Sequence, residues 1–525
     1  MKKLSYIAIA ALGLIACEPE FDNTISDNQA TFTAGDADFS KFVSIGNSLT
    51  SGFADGALYI HGQENSFPNI LAGQFSLVGG GDFTQPLMND NIGGLLIGGS
   101  PVLADPNNPA TNQFPPRLVL NGQSSPVWVN GASTTETTTV LSGPFNNMGV
   151  PGAKSFHLVA PTDPNNPASG YGNPGGLVAG TANPYYVRFA SSPSATVFGD
   201  ALAQNPTFFS LWIGNNDILS FATSGGVGVD QNAAGNMNAA TYGSNDISHS
   251  NVVAGSIQNM INGLTAAGTN DVKGVVCNIP SVTDIPYFTT VPYNAIPMDQ
   301  ATADATNSSY SGYNLILGGL AQATVISSQE AAARMVSFSA GQNPALIVDE
   351  TLTDIKPQLE ANGVPEPLAE LLKKLRPATP EDLLVLPSRT VLGTLADDNN
   401  PASVIGVGVP LEDKYVLIPS EQNAIATAQN QYNASISAIA AANNNVVLVD
   451  MASHLNTLNT SGISYNGGTL FSTYATGGAF SLDGVHPTAQ GYAVIANKII
   501  DVVNAEFNAN IPMVNPGEYT SIFFE

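Results

Sequence analysis

Charge is scarce in this chain. Only 11% of its 525 residues are Asp, Glu, Lys or Arg, and 15 cations stand against 41 acids, for a formal net charge of −26. A surface this acidic repels phosphate backbones, so nucleic acid is excluded as a partner. Cysteine is scarcer still: two residues rule out a disulfide-rich scaffold. The five histidines are scattered, which argues against a His-rich metal centre, and no metal or cofactor is expected. Beyond the first fifteen residues no apolar run approaches the about 20 residues that a membrane-spanning helix needs.

What the chain does have is a hydrophobic content of 43%, enough for a core, and 51 Gly with 35 Pro, which predicts many turns and long irregular connections. Its N-terminus reads as a targeting segment. Lys2 and Lys3 precede an apolar stretch from Leu4 to Ile15 that is too short to span a bilayer. Leu14-Ile15-Ala16-Cys17 resembles the lipobox of bacterial lipoproteins. That resemblance implies removal of residues 1–16 and a lipid on Cys17; a plain secretory signal with an incidental cysteine is the alternative. Cys277 is then the remaining thiol. Residues 17–38 are polar and acidic and read as a tether, with Glu18, Glu20 and Asp22 faintly resembling surface-export signals of some Gram-negative lipoproteins. The expected location is the cell envelope, on the outer membrane and in one version surface-exposed.

Short β-branched runs alternate with helical patterns. Strands are predicted at Phe42–Ile45, Thr207–Ile213, Val272–Ile279 and Asn445–Asp450, continuous runs of the kind found in buried parallel sheets. Helical periodicity covers Asn251–Ala267, Ser420–Ala442 and Thr488–Phe507. The alternation predicts an α/β fold, a three-layer α/β/α sandwich with a mostly parallel central sheet. The body is expected over 39–505, with large loop and helical insertions at 78–145, 155–195 and 290–415, and a tail over 506–525. The repeated Asp-Pro-Asn-Asn-Pro-Ala (105–110, 163–168, echoed at 398–402) reads as turns. Within the largest insert, residues 365–376 carry Leu368, Leu371, Leu372 and Leu375 beside Lys373, Lys374 and Arg376. This is either a lid or membrane contact, or an ordinary packed helix with a solvated face.

Four segments carry chemistry. Gly46-Asn47-Ser48-Leu49 sits where the first strand turns into a helix, so Ser48 is expected at the carboxyl end of the sheet, beside free helix N-terminal N–H groups. Asn147-Met148-Gly149-Val150-Pro151-Gly152 reads as a tight turn whose backbone N–H can approach a substrate oxygen. Gly214-Asn215-Asn216-Asp217 ends the second strand with an amide donor. Asp483-Gly484-Val485-His486 puts a carboxylate and an imidazole three residues apart on one loop, close enough to bond directly.

In this order the four segments resemble the SGNH hydrolases, also called GDSL esterases/lipases. The resemblance implies Ser48 as nucleophile, Asp483 and His486 completing a triad, and Ser48, Gly152 and Asn216 as oxyanion donors. It spans residues 42 to about 505. Asn47 departs from it, standing where the family usually has Asp; that position is read as bracing the turn. The function so implied is a serine ester hydrolase acting on carboxylic esters of lipolytic type, through an acyl-enzyme on Ser48 and without a cofactor. Its partners are a small-molecule or lipid ester and a membrane reached through the Cys17 anchor; the oligomeric state is not legible. A carbohydrate O-acetyl esterase at the cell surface, and a non-catalytic surface-binding lipoprotein on the same fold, are the alternatives. Gly243-Ser244-Asn245-Asp246 and Asp246-Ile247-Ser248-His249 also fit two of the motifs, but no apolar strand precedes them and their chain order is wrong. His61, His157 and His454 lack a nearby acid and are read as surface or supporting residues, and Cys277 as a small core side chain.

Overall fold

The computed structural model describes residues 32–524 apart from 106, 123–124, 161–169 and 267–270. The leader, Cys17, most of the acidic tether and the second Asp-Pro-Asn-Asn-Pro-Ala lie outside the described residues. Among the described residues no helix is long and apolar enough to cross a membrane.

Five parallel strands form the central sheet: β1 (Phe42–Gly46), β2 (Asn147–Gly149), β3 (Phe208–Trp212), β4 (Lys273–Cys277) and β5 (Val446–Val449). Their spatial order is β2-β1-β3-β4-β5. β3, β4 and β5 lie within their predicted runs, and β1 extends its own by one residue, to Gly46. β2 falls in none: the sequence reads its three residues as a turn, yet they pair in register with Ser44, Ile45 and Gly46. Three residues carry too little pattern to announce a strand, and pairing alone holds this one.

Side chains alternate across the sheet as the pleat requires. Val43, Ile45, Phe209, Leu211 and Val276 face one core, which is closed by α3 (Asn216–Thr223), α4 (Ser250–Ala266) and α7 (Pro419–Ala441). Phe42, Phe208, Trp212, Val275 and Val449 face the other, under α2 (Phe67–Ser76) and α9 (Ala489–Glu506). The result is the expected α/β/α sandwich.

The strand order fixes where a site can form. The chain leaves β1 for β2 on one side and then crosses back to β3 on the other. Loops that diverge at such a reversal open a crevice at the carboxyl ends of the strands. Ser48 follows β1, Gly152 follows β2 and Asn216 follows β3, so the first three motifs all leave the sheet at that crevice.

The segment 290–415 brings its own small cores. Tyr310, Tyr313, Leu317 and Leu320 of α5 (Gln300–Gln322) pack on Ala369, Leu372 and Leu375. This answers the question of the leucine stripe. α6 is short (Glu366–Leu372): of the four leucines of the stripe, Leu372 is buried at its end, Leu368 is exposed, and Leu375 lies beyond it, buried in a short strand paired with Leu346–Val348. Its cations are occupied: Lys373 pairs with Glu370, the Lys374 Nζ donates to the Glu350 carbonyl, and Arg376 is buried between Asp349 and Asp382. It is a packed helix, and neither a lid nor a membrane contact is supported. At the chain's two ends, Thr33 bridges to Asn510, and the Phe523 carbonyl accepts from the Leu120 N–H. The last residues of the acidic segment and the tail thus lie against the body.

Candidate active site

Ser48 opens α1 (Ser48–Ser51), a single turn directly after β1. Gly46 is required just before it, because a Cβ there would stand 2.1 Å from Thr50 Oγ1 and 2.4 Å from the Trp212 carbonyl. Asn47 braces the turn, as expected. Its Oδ1 accepts from the Leu49 N–H (3.0 Å), and its Nδ2 donates to Asn215 Oδ1 (3.3 Å), joining the first motif to the third. Four residues align too few peptide dipoles to give a helix field, so any oxyanion stabilisation here comes from individual N–H groups.

The distant motifs converge. Ser48 Oγ lies 2.9 Å from His486 Nε2, and His486 Nδ1 lies 2.8 Å from Asp483 Oδ2. The Phe53 ring rests on the imidazole, with centroids 4.7 Å apart. Asp483 is held on every side. Its Oδ1 accepts from the Val485 and His486 N–H groups (2.8 Å each) and from Ser481 Oγ (3.1 Å); its Oδ2 also accepts from the Gly56 N–H (2.9 Å). Burial on its own would raise this carboxyl, but the adjoining imidazole and the backbone donors outweigh it and bring it down to about 2. Gly484 makes the turn possible: its φ is +73°, and a Cβ there would meet Leu386 Cδ2 at 2.9 Å. That is the physical reason for glycine between the acid and the histidine.

Asn216 is the first residue of α3, and its Nδ2 donates to the Ala153 carbonyl (2.9 Å). One amide hydrogen remains for a ligand. Gly152, at φ +79°, precedes that carbonyl. Among the described residues, neither the Ser48 nor the Gly152 backbone N–H has a protein acceptor. Asp217 locks the second and third motifs together. Fully buried, it accepts from the Ser155 N–H (2.8 Å) and Ser155 Oγ (3.0 Å).

A cavity of about 110 Å³ opens beside Ser48, His486 and Asn216. Gly152 is not on its wall. Beyond the polar end the wall is apolar, with Leu219, Ile285, Leu455, Leu458, Phe480 and Val494 among its residues. α8 (Met451–Thr460) supplies part of it. His454 lies there too. Burial, aided by the Lys498 charge, lowers its imidazole to about 4, and its Nε2 has no partner among the described residues.

The decoy motifs are spent on loop structure. Asp246 accepts from the Val229 and Gly243 N–H groups and from Gln231 Nε2, and His249 Nδ1 accepts from the Asn251 N–H. His157 accepts from the Lys154 N–H and stacks on Tyr171. Cys277 is buried within β4, and burial pushes its thiol up. Sequence reasoning missed one acid beside the triad, Asp55, which is 2% exposed. Nothing in Ala54-Asp55-Gly56 marks it before residues 481–483 are brought against it. Among the described residues, the carboxylates of Glu350, Asp413 and Glu421 approach within 4.8 Å of one another. Burial foremost, with the neighbouring carboxylates, raises both Asp413 and Glu421.

No curated protein and no solved structure matches the chain. Residues 301–499 match the family model described as GDSL-like Lipase/Acylhydrolase, a stretch that holds Asp483 and His486 but begins well after Ser48, Gly152 and Asn216. The match agrees with the α/β/α fold and supports ester hydrolysis in general terms, as the activity class to which this arrangement of residues points.

Proposed function

We propose that the protein is a serine ester hydrolase in which Ser48 forms an acyl-enzyme. The observation that carries this reading is the unbroken path from Asp483 Oδ2 through the imidazole to Ser48 Oγ, with steps of 2.8 and 2.9 Å. An Asp483 held down to about 2 is anionic at neutral pH, so the imidazole carries its proton on Nδ1 and presents a bare Nε2 to the serine hydroxyl. His486 takes the Oγ proton as Ser48 attacks the ester carbonyl. The oxyanion is received by the Ser48 and Gly152 N–H groups and the free hydrogen of Asn216 Nδ2. His486 then protonates the leaving alcohol, and a water it activates cleaves the acyl-enzyme.

The apolar wall favours an acyl chain longer than acetyl, and hence the lipolytic reading over carbohydrate deacetylation. For comparison, an apolar cavity of about 150 Å³ holds a benzene ring, so this one suits a short chain. Each buried methylene contributes about 0.8 kcal/mol. Going from p-nitrophenyl acetate to the butyrate is therefore expected to raise kcat/KM roughly tenfold. The series acetate to decanoate, assayed at one pH, checks this; a maximum at acetate would favour the deacetylase reading instead.

The lipid anchor belongs to the same proposal. Cys17→Ser is expected to move the protein from the membrane to the soluble fraction and to abolish incorporation of labelled fatty acid. A variant that stays with the membrane and keeps the label would contradict acylation at Cys17.

A further inference from the structure

The loop after α1 grips the loop that carries Asp483, and Asp55 does the gripping. Its Oδ1 accepts from the Leu482 N–H (3.0 Å) and its Oδ2 from the Tyr59 hydroxyl (2.8 Å), while its own N–H donates to Ser481 Oγ (2.9 Å). Ser481 Oγ in turn donates to Asp483 Oδ1 (3.1 Å), and the next residue, Gly56, donates its N–H to Asp483 Oδ2. The Leu482 carbonyl is taken by the Tyr474 hydroxyl (2.7 Å), so the residue preceding the triad acid is held at both its N–H and its carbonyl. Asp55 adopts φ +53°, a left-handed conformation that Asp and Asn tolerate far better than bulkier residues.

An apolar side chain or an amide could fill a structural corner at less cost. A buried carboxylate beside a second carboxylate is an expensive tether. The groups facing it are Asp483, the Arg117 guanidinium and the hydroxyls of Tyr59, Tyr474 and Tyr492. We infer that Asp55 is a positioning residue for the proposed ester hydrolysis: its carboxylate holds the 481–483 turn in register and adds negative charge behind the Asp483–His486 pair. The inference rests on the ester-hydrolase reading above.

Burial foremost, with the Asp483 charge, raises the Asp55 carboxyl to about 6, against the opposing hydrogen bonds from Leu482 and Tyr59. The sign follows. A carboxyl raised on folding binds its proton more tightly in the native state, so its ionisation lowers stability as pH climbs from the ordinary carboxylate range through about 6. The folded protein carries the Asp55 charge at neutral pH against its own stability, as groups serving activity commonly do.

Asp55→Asn and Tyr59→Phe, measured on the full chain with p-nitrophenyl butyrate, test this. Competent sites are counted by stoichiometric reaction with an aryl alkylphosphonate, so that misfolded molecules drop out of the rate. For Asp55→Asn the expected result is a kcat per competent site lower by about tenfold, with KM within about twofold and thermal stability at pH 8 no lower than wild type. The acid limb of its kcat/KM profile moves to lower pH, because the ionisation of residue 55, at about 6 in the wild type, no longer contributes to it. Tyr59→Phe removes a hydrogen bond that stabilises the ionised Asp55, so its acid limb moves the opposite way. A purely structural corner would give neither opposed shift. Full kcat per competent site in Asp55→Asn, or acid limbs unmoved in both variants, would overturn the inference while leaving the hydrolase reading standing. A wild-type protein that neither turns over the ester nor reacts with the phosphonate would remove both.

Discussion

Replacing Ser48 by Ala is expected to lower kcat for a short p-nitrophenyl ester by about a million-fold, the scale on which loss of a serine nucleophile acts where serine, histidine and acid work as a unit. The fold is expected to survive. Ser48 is 7% exposed and among the described residues its hydroxyl bonds only to His486 Nε2, whereas the turn is anchored through its backbone: the Ser48 carbonyl accepts from the Phe53 N–H and from Ser51 Oγ. An unchanged far-ultraviolet spectrum and melting temperature beside lost turnover is the expected pair of readings. Substantial residual hydrolysis would remove Ser48 from the chemistry.

Asp483→Asn is the second large effect. The amide keeps the shape of the carboxylate, and its oxygen can still accept from the Val485 and His486 N–H groups. Its NH₂ then faces Gly56 N–H and His486 Nδ1, two positions where the carboxylate accepted. To bond that NH₂, the imidazole must move its proton to Nε2, where it faces the serine hydroxyl and cannot accept from it. A fall in kcat of about 10⁴ is expected, the size found when a triad acid becomes its amide. The same change acts on stability. The carboxyl is depressed on folding to about 2, so it contributes stability above the ordinary carboxylate range that is lost as pH falls through about 2. Thermal melts should find the variant weaker at pH 7 and converging on the wild type at pH 2.

Much of this arrangement was legible because the relevant signals are local. β-branched runs marked β1, β3, β4 and β5, and helical spacing marked α4, α7 and α9. The Gly-flanked polar motifs stood out because their turns need glycine: Gly46 for close approach and Gly484 for a positive φ. What stayed hidden depends on contacts between distant residues. β2 is three residues long and is a strand only because β1 lies beside it. Asp55 looks like any turn acid until Leu482 and Ser481 are set against it. His454 sits on a helix whose outer face is polar, and only the packing around α8 turns it toward the cavity. Residues 365–376 leave two readings open in the sequence, an exposed working surface and a packed helix, and only distant contacts choose between them: packing with α5 takes up Leu372 and Leu375, and buried carboxylates take up Arg376.

The central claim is that the hydroxyl of Ser48 is a nucleophile driven by His486. The most direct measurement is covalent capture: the full chain is treated with a fluorophosphonate and its intact mass and peptides are read by mass spectrometry. The account predicts one adduct per chain, on the peptide containing Ser48, absent in Ser48→Ala and formed far more slowly in His486→Ala. An unmodified wild-type chain, or an adduct on any other residue, would contradict it.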